Sequence, residues 1–139
     1  ERAKDLAHRA HAGQVDKAGR PYIEHVARVA AACADDPEAE VVAWLHDVWE
    51  DCEPQFKNEL LRNFYVHIFY AVKTLSRHKE SDRKYYDDIR RDPIALRVKL
   101  ADIADNADES RLALLDENTA ARLRRKYAKA RAALADNRF

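Results

Sequence analysis

Residues that break helices are scarce in this chain: 139 positions hold two glycines and four prolines. That scarcity argues against disorder and against a fold of many short strands, since tight turns draw on residues that reach positive φ or fix φ. Cysteine is nearly absent too. Cys33 and Cys52 form no CxxC pair, and a helical domain of this size needs no disulfide, which points to a reduced, cytoplasmic setting with both thiols structural or incidental. Neither sign of charge prevails: 25 Lys and Arg balance 25 Asp and Glu, so no overall field gathers nucleic acid or an anionic membrane, and an anionic ligand must be held locally. No apolar run approaches the roughly 18 residues of a bilayer span. The start, Glu1-Arg2-Ala3-Lys4, has no signal-peptide core, so a soluble chain is expected; because residue 1 is not methionine, a preceding segment is left open.

What is present is helical patterning, with 47% hydrophobic and 36% charged residues. The expectation is an all-α fold, a single compact multi-helix domain over residues 1–139. Ala3, Leu6, Ala7 and Ala10 make a first helical face, and both glycines fall in the loop Gly13 to Gly19 that follows. Pro21 opens a second helix with Tyr22, Val26, Val29, Ala30 and Cys33 on one face. Asp36-Pro37 opens a third, predicted to run through His46–Asp51 with Val41, Val42, Leu45, Val48 and Trp49 inward. Pro54 starts a stretch with Phe56, Leu60 and Phe64, and Val66, Phe69, Tyr70 and Val72 mark another. Ser76 to Lys84 reads as a connection, Tyr85, Tyr86 and Ile89 as a short helix, and Asp92-Pro93 restarts the chain into Ile94 to Asn106. The last helix repeats Ala120, Leu123, Tyr127, Ala130 and Leu134.

The sharpest chemical feature is His46-Asp47-Val48-Trp49-Glu50-Asp51, where helical spacing puts His46 with Glu50 and Asp47 with Asp51. A solvated polar face is the ordinary fate of such charges, but this run adjoins the apolar Val42, Leu45 and Val48. His25 lies one turn into the second helix. Asp102 is set among Val98, Leu100, Ala101 and Ile103, and an aspartate there is costly to desolvate unless a cation or hydrogen bonds compensate.

The order His25, His46-Asp47, Asp102 resembles the H…HD…D signature of the HD superfamily. The stretches AHAGQVDKAGRPYIEHVARVA, VVAWLHDVWED and VKLADIADN resemble the hydrolase domain of RelA/SpoT-type enzymes and the small alarmone hydrolases. The resemblance implies that His25, His46, Asp47 and Asp102 hold one divalent metal, with Glu50 and Asp51 handling the attacking water. Two imidazoles and two carboxylates lean towards Mn²⁺ and leave iron, zinc and magnesium open. It further implies that Lys17 lies near the substrate, that Asn106 touches its sugar or phosphate, and that Tyr127, with Arg124 three residues earlier, lies near the nucleoside. His67 and His78 form no adjacent pair, which favours a mononuclear centre, and His8 and His11 read as supporting residues.

Two departures stand out. The family's arginine before the loop lysine is Asp16 here, and KLADRLHN has become Lys99-Leu100-Ala101-Asp102-Ile103-Ala104-Asp105-Asn106, which leaves guanine recognition and the role of Asp105 open. The expected activity is phosphohydrolysis of a nucleotide, of the kind that removes a 3′-pyrophosphate from an alarmone. A 5′-nucleotidase or other nucleotide phosphohydrolase, and a non-catalytic nucleotide-binding HD module, are the alternatives. The expected partner is a small-molecule nucleotide or phosphoester. The basic run from Arg122 to Arg131 reads as a solvated helix face and not as a nucleic-acid site, and oligomeric state is not legible.

Overall fold

The computed structural model describes residues 2–76 and 81–135, leaving out the side chain of Asp51. The helices among these residues are α1 (Arg2–Ala10), α2 (Tyr22–Ala32), α3 (Pro37–Leu45), α4 (Val48–Asp51), α5 (Pro54–Asn63), α6 (Val66–Leu75), α7 (Asp82–Arg91), α8 (Pro93–Asn106), α9 (Glu109–Leu112) and α10 (Glu117–Leu134). The fold is all-α. An isolated antiparallel bridge between Val15 and Pro21 pins the loop before α2, and Gly13 and Gly19 both take left-handed backbone with φ near 80° there.

Helix starts follow the local chemistry. Proline occupies the first turn of α3, α5 and α8. The Asp36 carboxylate accepts from the N–H groups of Glu38 and Ala39, and that of Asp92 from Ile94 and Ala95, satisfying donors that a helix leaves unpaired. Asp116 caps α10 in the same way. Ser81 caps α7, so that helix begins before the aromatic pair that marks it in sequence. Residues 77–80 within the expected connection, His78 among them, lie outside the described residues.

The core gathers around α3, which packs on α1, α2, α6 and α8 and buries Ala39, Val42, Ala43, Trp44 and Leu45. Val26, Val29 and Ala30 of α2 and Ala95, Val98 and Ile103 of α8 close on it. Val42, Leu45 and Val48 point inward as the pattern requires, whereas Val41 and Trp49 are half-buried and Leu100 is exposed. The larger difference is at His46 and Asp47. The predicted helix does not run through them: α3 stops at Leu45, the two residues form a turn, and α4 starts at Val48. No glycine or proline marks the break, so it is made by the contacts that seize the two side chains, described next. α9 was also not expected from the pattern; its four residues carry one apolar side chain, Leu112, that is buried.

Candidate metal centre

α2 and α8 both lie against α3, and this brings together three pieces of chain distant in sequence. His25 comes from the first turns of α2, His46 and Asp47 from the turn after α3, and Asp102 from the third turn of α8. One donor atom from each of the four lies within 4.8 Å of the others. His25 Nε2 is 2.8 Å and His46 Nε2 3.3 Å from Asp102 Oδ1, and His46 Nε2 is 3.1 Å from Asp47 Oδ2. His25 and His46 are almost wholly buried.

The outer contacts fix which atoms face the cluster. His46 Nδ1 is 2.6 Å from the Ala43 carbonyl, which only accepts, so Nδ1 carries a proton and Nε2 is the nitrogen turned to the cluster. His25 Nδ1 is 2.6 Å from Asp105 Oδ2, which orients that ring in the same sense. The Tyr22 hydroxyl donates to Asp47, while Asp102 receives Lys99 Nζ and Asn106 Nδ2, each at 3.2 Å. Asp105 is in turn gripped by Arg28 and Arg111. Asp105, Tyr22, Lys99, Arg28 and Arg111 were not assigned to the site from sequence. Spacing carried part of the signal, since Arg28 follows His25, and Asp102 follows Lys99, by one helical turn.

The charges answer to this packing. Burial alone would lower the His46 imidazole, but the Asp47 charge and the Asp102 hydrogen bond outweigh it and hold His46 well above its ordinary value. Burial likewise opposes the raised value of His25, which its bonds to Asp102 and Asp105 produce. Asp102 is held well below the carboxylate range: burial pushes it up, and the bonds from His25 and His46 together with the Lys99 charge prevail. Asp47 is lowered in the same sense, chiefly by His46 acting against burial. Asp105 falls to about 2, again against burial, through His25 and Arg28. Two imidazole nitrogens and two ionised carboxylates converging on one point have the chemistry of a divalent-cation site, mixed nitrogen and oxygen donors with room for further ligands, and an ion bound there would displace the protons the imidazoles share with the carboxylates. The donor set therefore fits a metal.

Two cavities adjoin the cluster. One of about 250 Å³ is lined by His46, Asp47, Glu50, Tyr85, Tyr86, Lys99, Asp102 and Lys126. The other, about 300 Å³, lies on the Tyr22 and Asn106 side and is lined by the loop from Gln14 to Ala18, Arg111, Leu112, Leu115, Leu123 and Tyr127. Lys17, Asn106 and Tyr127 thus share one cavity and Glu50 lines the other. Arg124 lines neither, and its guanidinium pairs with Glu109 at 2.9 Å. Asp51 ends α4, and its side chain lies outside the described residues. His8 bonds the Lys4 carbonyl and exposed His67 pairs with Glu38, both away from the cluster; His11 is buried with Nδ1 2.8 Å from Gln14 Oε1.

Fold and donor set together resemble those of an HD-type helical domain. No protein-family model matches the chain. It is similar to a GTP pyrophosphokinase of Streptomyces coelicolor, 33% identical over 115 residues that cover 73% of this chain, and it spans 14% of that relative's length. A solved structure, described as a metazoan ortholog of SpoT that hydrolyzes ppGpp and plays a role in starvation responses, superposes with a TM-score of 0.78. The match has 20% identity and covers 96% of this chain and 84% of that one. In sequence and in fold, the chain resembles the RelA/SpoT-type hydrolase domain that its motifs bring to mind. Among the described residues, no helix is long and apolar enough to cross a membrane.

Proposed function

We propose that this protein is a metal-dependent phosphohydrolase acting on a nucleotide, and that its substrate is an alarmone of the guanosine tetraphosphate kind, from which it removes the 3′-pyrophosphate. The observation that carries the reading is the convergence of His25, His46, Asp47 and Asp102 within 4.8 Å beside two cavities, in a fold shared with a ppGpp-hydrolysing protein. A divalent ion held by these four residues, Mn²⁺ by preference of the carboxylates, would acidify a bound water and neutralise charge on a phosphoryl oxygen.

The chain's own side chains do the remainder. Asp105 and the Ala43 carbonyl keep Nε2 of both imidazoles turned inward, and Tyr22, Lys99 and Asn106 hold the two carboxylates in place. Glu50, on the wall of the smaller cavity beside Asp47, is the carboxylate that orients or deprotonates the water, with Asp51 as its expected companion. Lys99 and Lys126 on that same wall offer cations to phosphoryl oxygens. Lys17, Asn106 and Tyr127 on the larger cavity take the nucleoside side, where Tyr127 offers an aromatic face beside Leu112, Leu115 and Leu123. Residues 1–139 are read as one catalytic domain working in the cytoplasm on a small molecule.

The test is phosphate and pyrophosphate release from a nucleotide panel that includes guanosine tetraphosphate, with Mn²⁺ or with chelator, for wild type, His46→Ala and Asp102→Ala. Pyrophosphate release that needs Mn²⁺ and is lost in both variants is the expected result. Release of single phosphates from 5′-mononucleotides alone would replace the substrate, and no turnover with metal bound would turn the reading to a nucleotide-binding module.

A further inference from the structure

Asp16, in the cavity loop, is met by a cation from 95 residues further along the chain. Arg111, in α9, donates from Nη2 to Asp16 Oδ2 at 3.0 Å, while its Nη1 donates to Asp105 Oδ2 at 2.5 Å and to the Asp105 carbonyl at 3.3 Å. Both carboxylates are largely shielded, each 12% exposed. Both also have a second task. Asp16 Oδ1 accepts from the N–H groups of Ala18 and Arg20, each at 2.9 Å, and so holds the loop that carries Lys17 along the larger cavity. Asp105 Oδ2 faces His25 Nδ1 and sets the ring whose Nε2 belongs to the cluster. The guanidinium is therefore a bridge between the cavity loop and a histidine of the cluster. A planar fork with donors in fixed directions suits two carboxylates at once, which a lysine ammonium does not. Arg28 grips Asp105 from α2, through Nε at 2.7 Å and Nη2 at 3.2 Å.

We propose that Arg111 is a positioning residue that couples the cavity loop to the metal centre, so that order in the loop and affinity for the metal rise and fall together. The inference rests on the reading of His25, His46, Asp47 and Asp102 as metal ligands. Asp105 orients His25, and partners that orient a ligating histidine commonly govern about 10–100-fold in metal affinity. Arg111 extends that control to Asp16. Because coupling between two sites is reciprocal, a ligand that orders the loop tightens the metal, and the metal tightens the loop.

Calorimetric titration of Mn²⁺ into the metal-stripped protein tests this without reference to turnover, with melting temperatures recorded for each variant. Arg111→Gln is expected to weaken Mn²⁺ binding about tenfold. Asp16→Asn keeps an oxygen for the loop N–H groups and loses the acceptor for Arg111; it should weaken Mn²⁺ several-fold in the wild-type background and no further in the Arg111→Gln background. Arg28→Gln should weaken Mn²⁺ yet leave the Asp16→Asn effect intact, and Arg111→Lys, a milder change, should fall on the side of Arg111→Gln. Melting temperatures that drop while Mn²⁺ affinity stays unchanged would make Arg111 a structural residue, and additive losses in the double variant would likewise overturn the coupling. A wild type that binds no divalent ion would instead sink the metal reading and this proposal with it.

Discussion

His11 shows how one buried side chain near the centre links pH to stability. Burial, its largest influence, holds the imidazole below its ordinary 6.5, with the Gln14 hydrogen bond opposing. A histidine depressed in the folded state binds fewer protons there than when unfolded. Its stabilising contribution is thus present above pH 6.5 and is lost as pH falls from that value through the folded one. His25 and His46 are displaced the other way, so in the metal-free protein their contributions change only above 6.5 and the two windows do not overlap. Urea unfolding of the metal-free protein at about pH 7 and about pH 5 should show a loss of stability that shrinks in His11→Gln. An equal loss in both proteins would assign the acid sensitivity elsewhere. Glu50 makes a different prediction, because it lines the cavity and stands outside the cluster of four. Glu50→Gln should leave Mn²⁺ affinity unchanged and lower kcat by about 10²–10⁴, as removal of a general base does; a variant with full turnover would remove it from the mechanism.

At the scale of elements, the candidate metal centre depends on α8 holding its register, because Asp102, Asp105 and Asn106 all project from it. Asp92 caps this helix, and Asp92→Ala should cost about 1 kcal/mol, a fall in melting temperature of roughly 3–5 °C by the usual size scaling. Thermal unfolding checks the value, and an unchanged midpoint would show that Pro93 and packing suffice to start the helix. Such starts were legible in sequence because capping is local: Asp36-Pro37, Pro54 and Asp92-Pro93 each announce a helix that the structure contains. The break between α3 and α4 was not legible. Nothing local ends a helix at Leu45; Tyr22, twenty-five residues earlier, takes the Asp47 carboxylate, and the Ala43 carbonyl takes the His46 ring. The four donors of the candidate site were readable from their order in the chain. Their support was readable only where it lies one turn away, as for Lys99 and Arg28. Arg111 and Asp16, 95 residues apart, share no pattern a sequence can display.

Over the whole molecule, the chain concentrates its buried charge where three segments meet, an arrangement that a bound cation would stabilise. The buried polar or charged residues include His25, His46 and Asp102, and their mutual contacts set the Asp102 carboxylate against Nε2 of both rings. A divalent ion would take the place of the protons shared there, and an ion bound only by the folded chain stabilises it by mass action. At free Mn²⁺ about 100 times the dissociation constant, the gain is about 2.7 kcal/mol. Thermal melts should therefore rise with added Mn²⁺ and fall with chelator, in proportion to the logarithm of free metal once the site is filled. His46→Ala and Asp102→Ala should melt at the same temperature with or without Mn²⁺, because the site that binds it is gone. If both variants keep the metal-dependent shift, the ion is held elsewhere, and the meeting point of α2, α3 and α8 is a buried ion-pair network with no cation of its own.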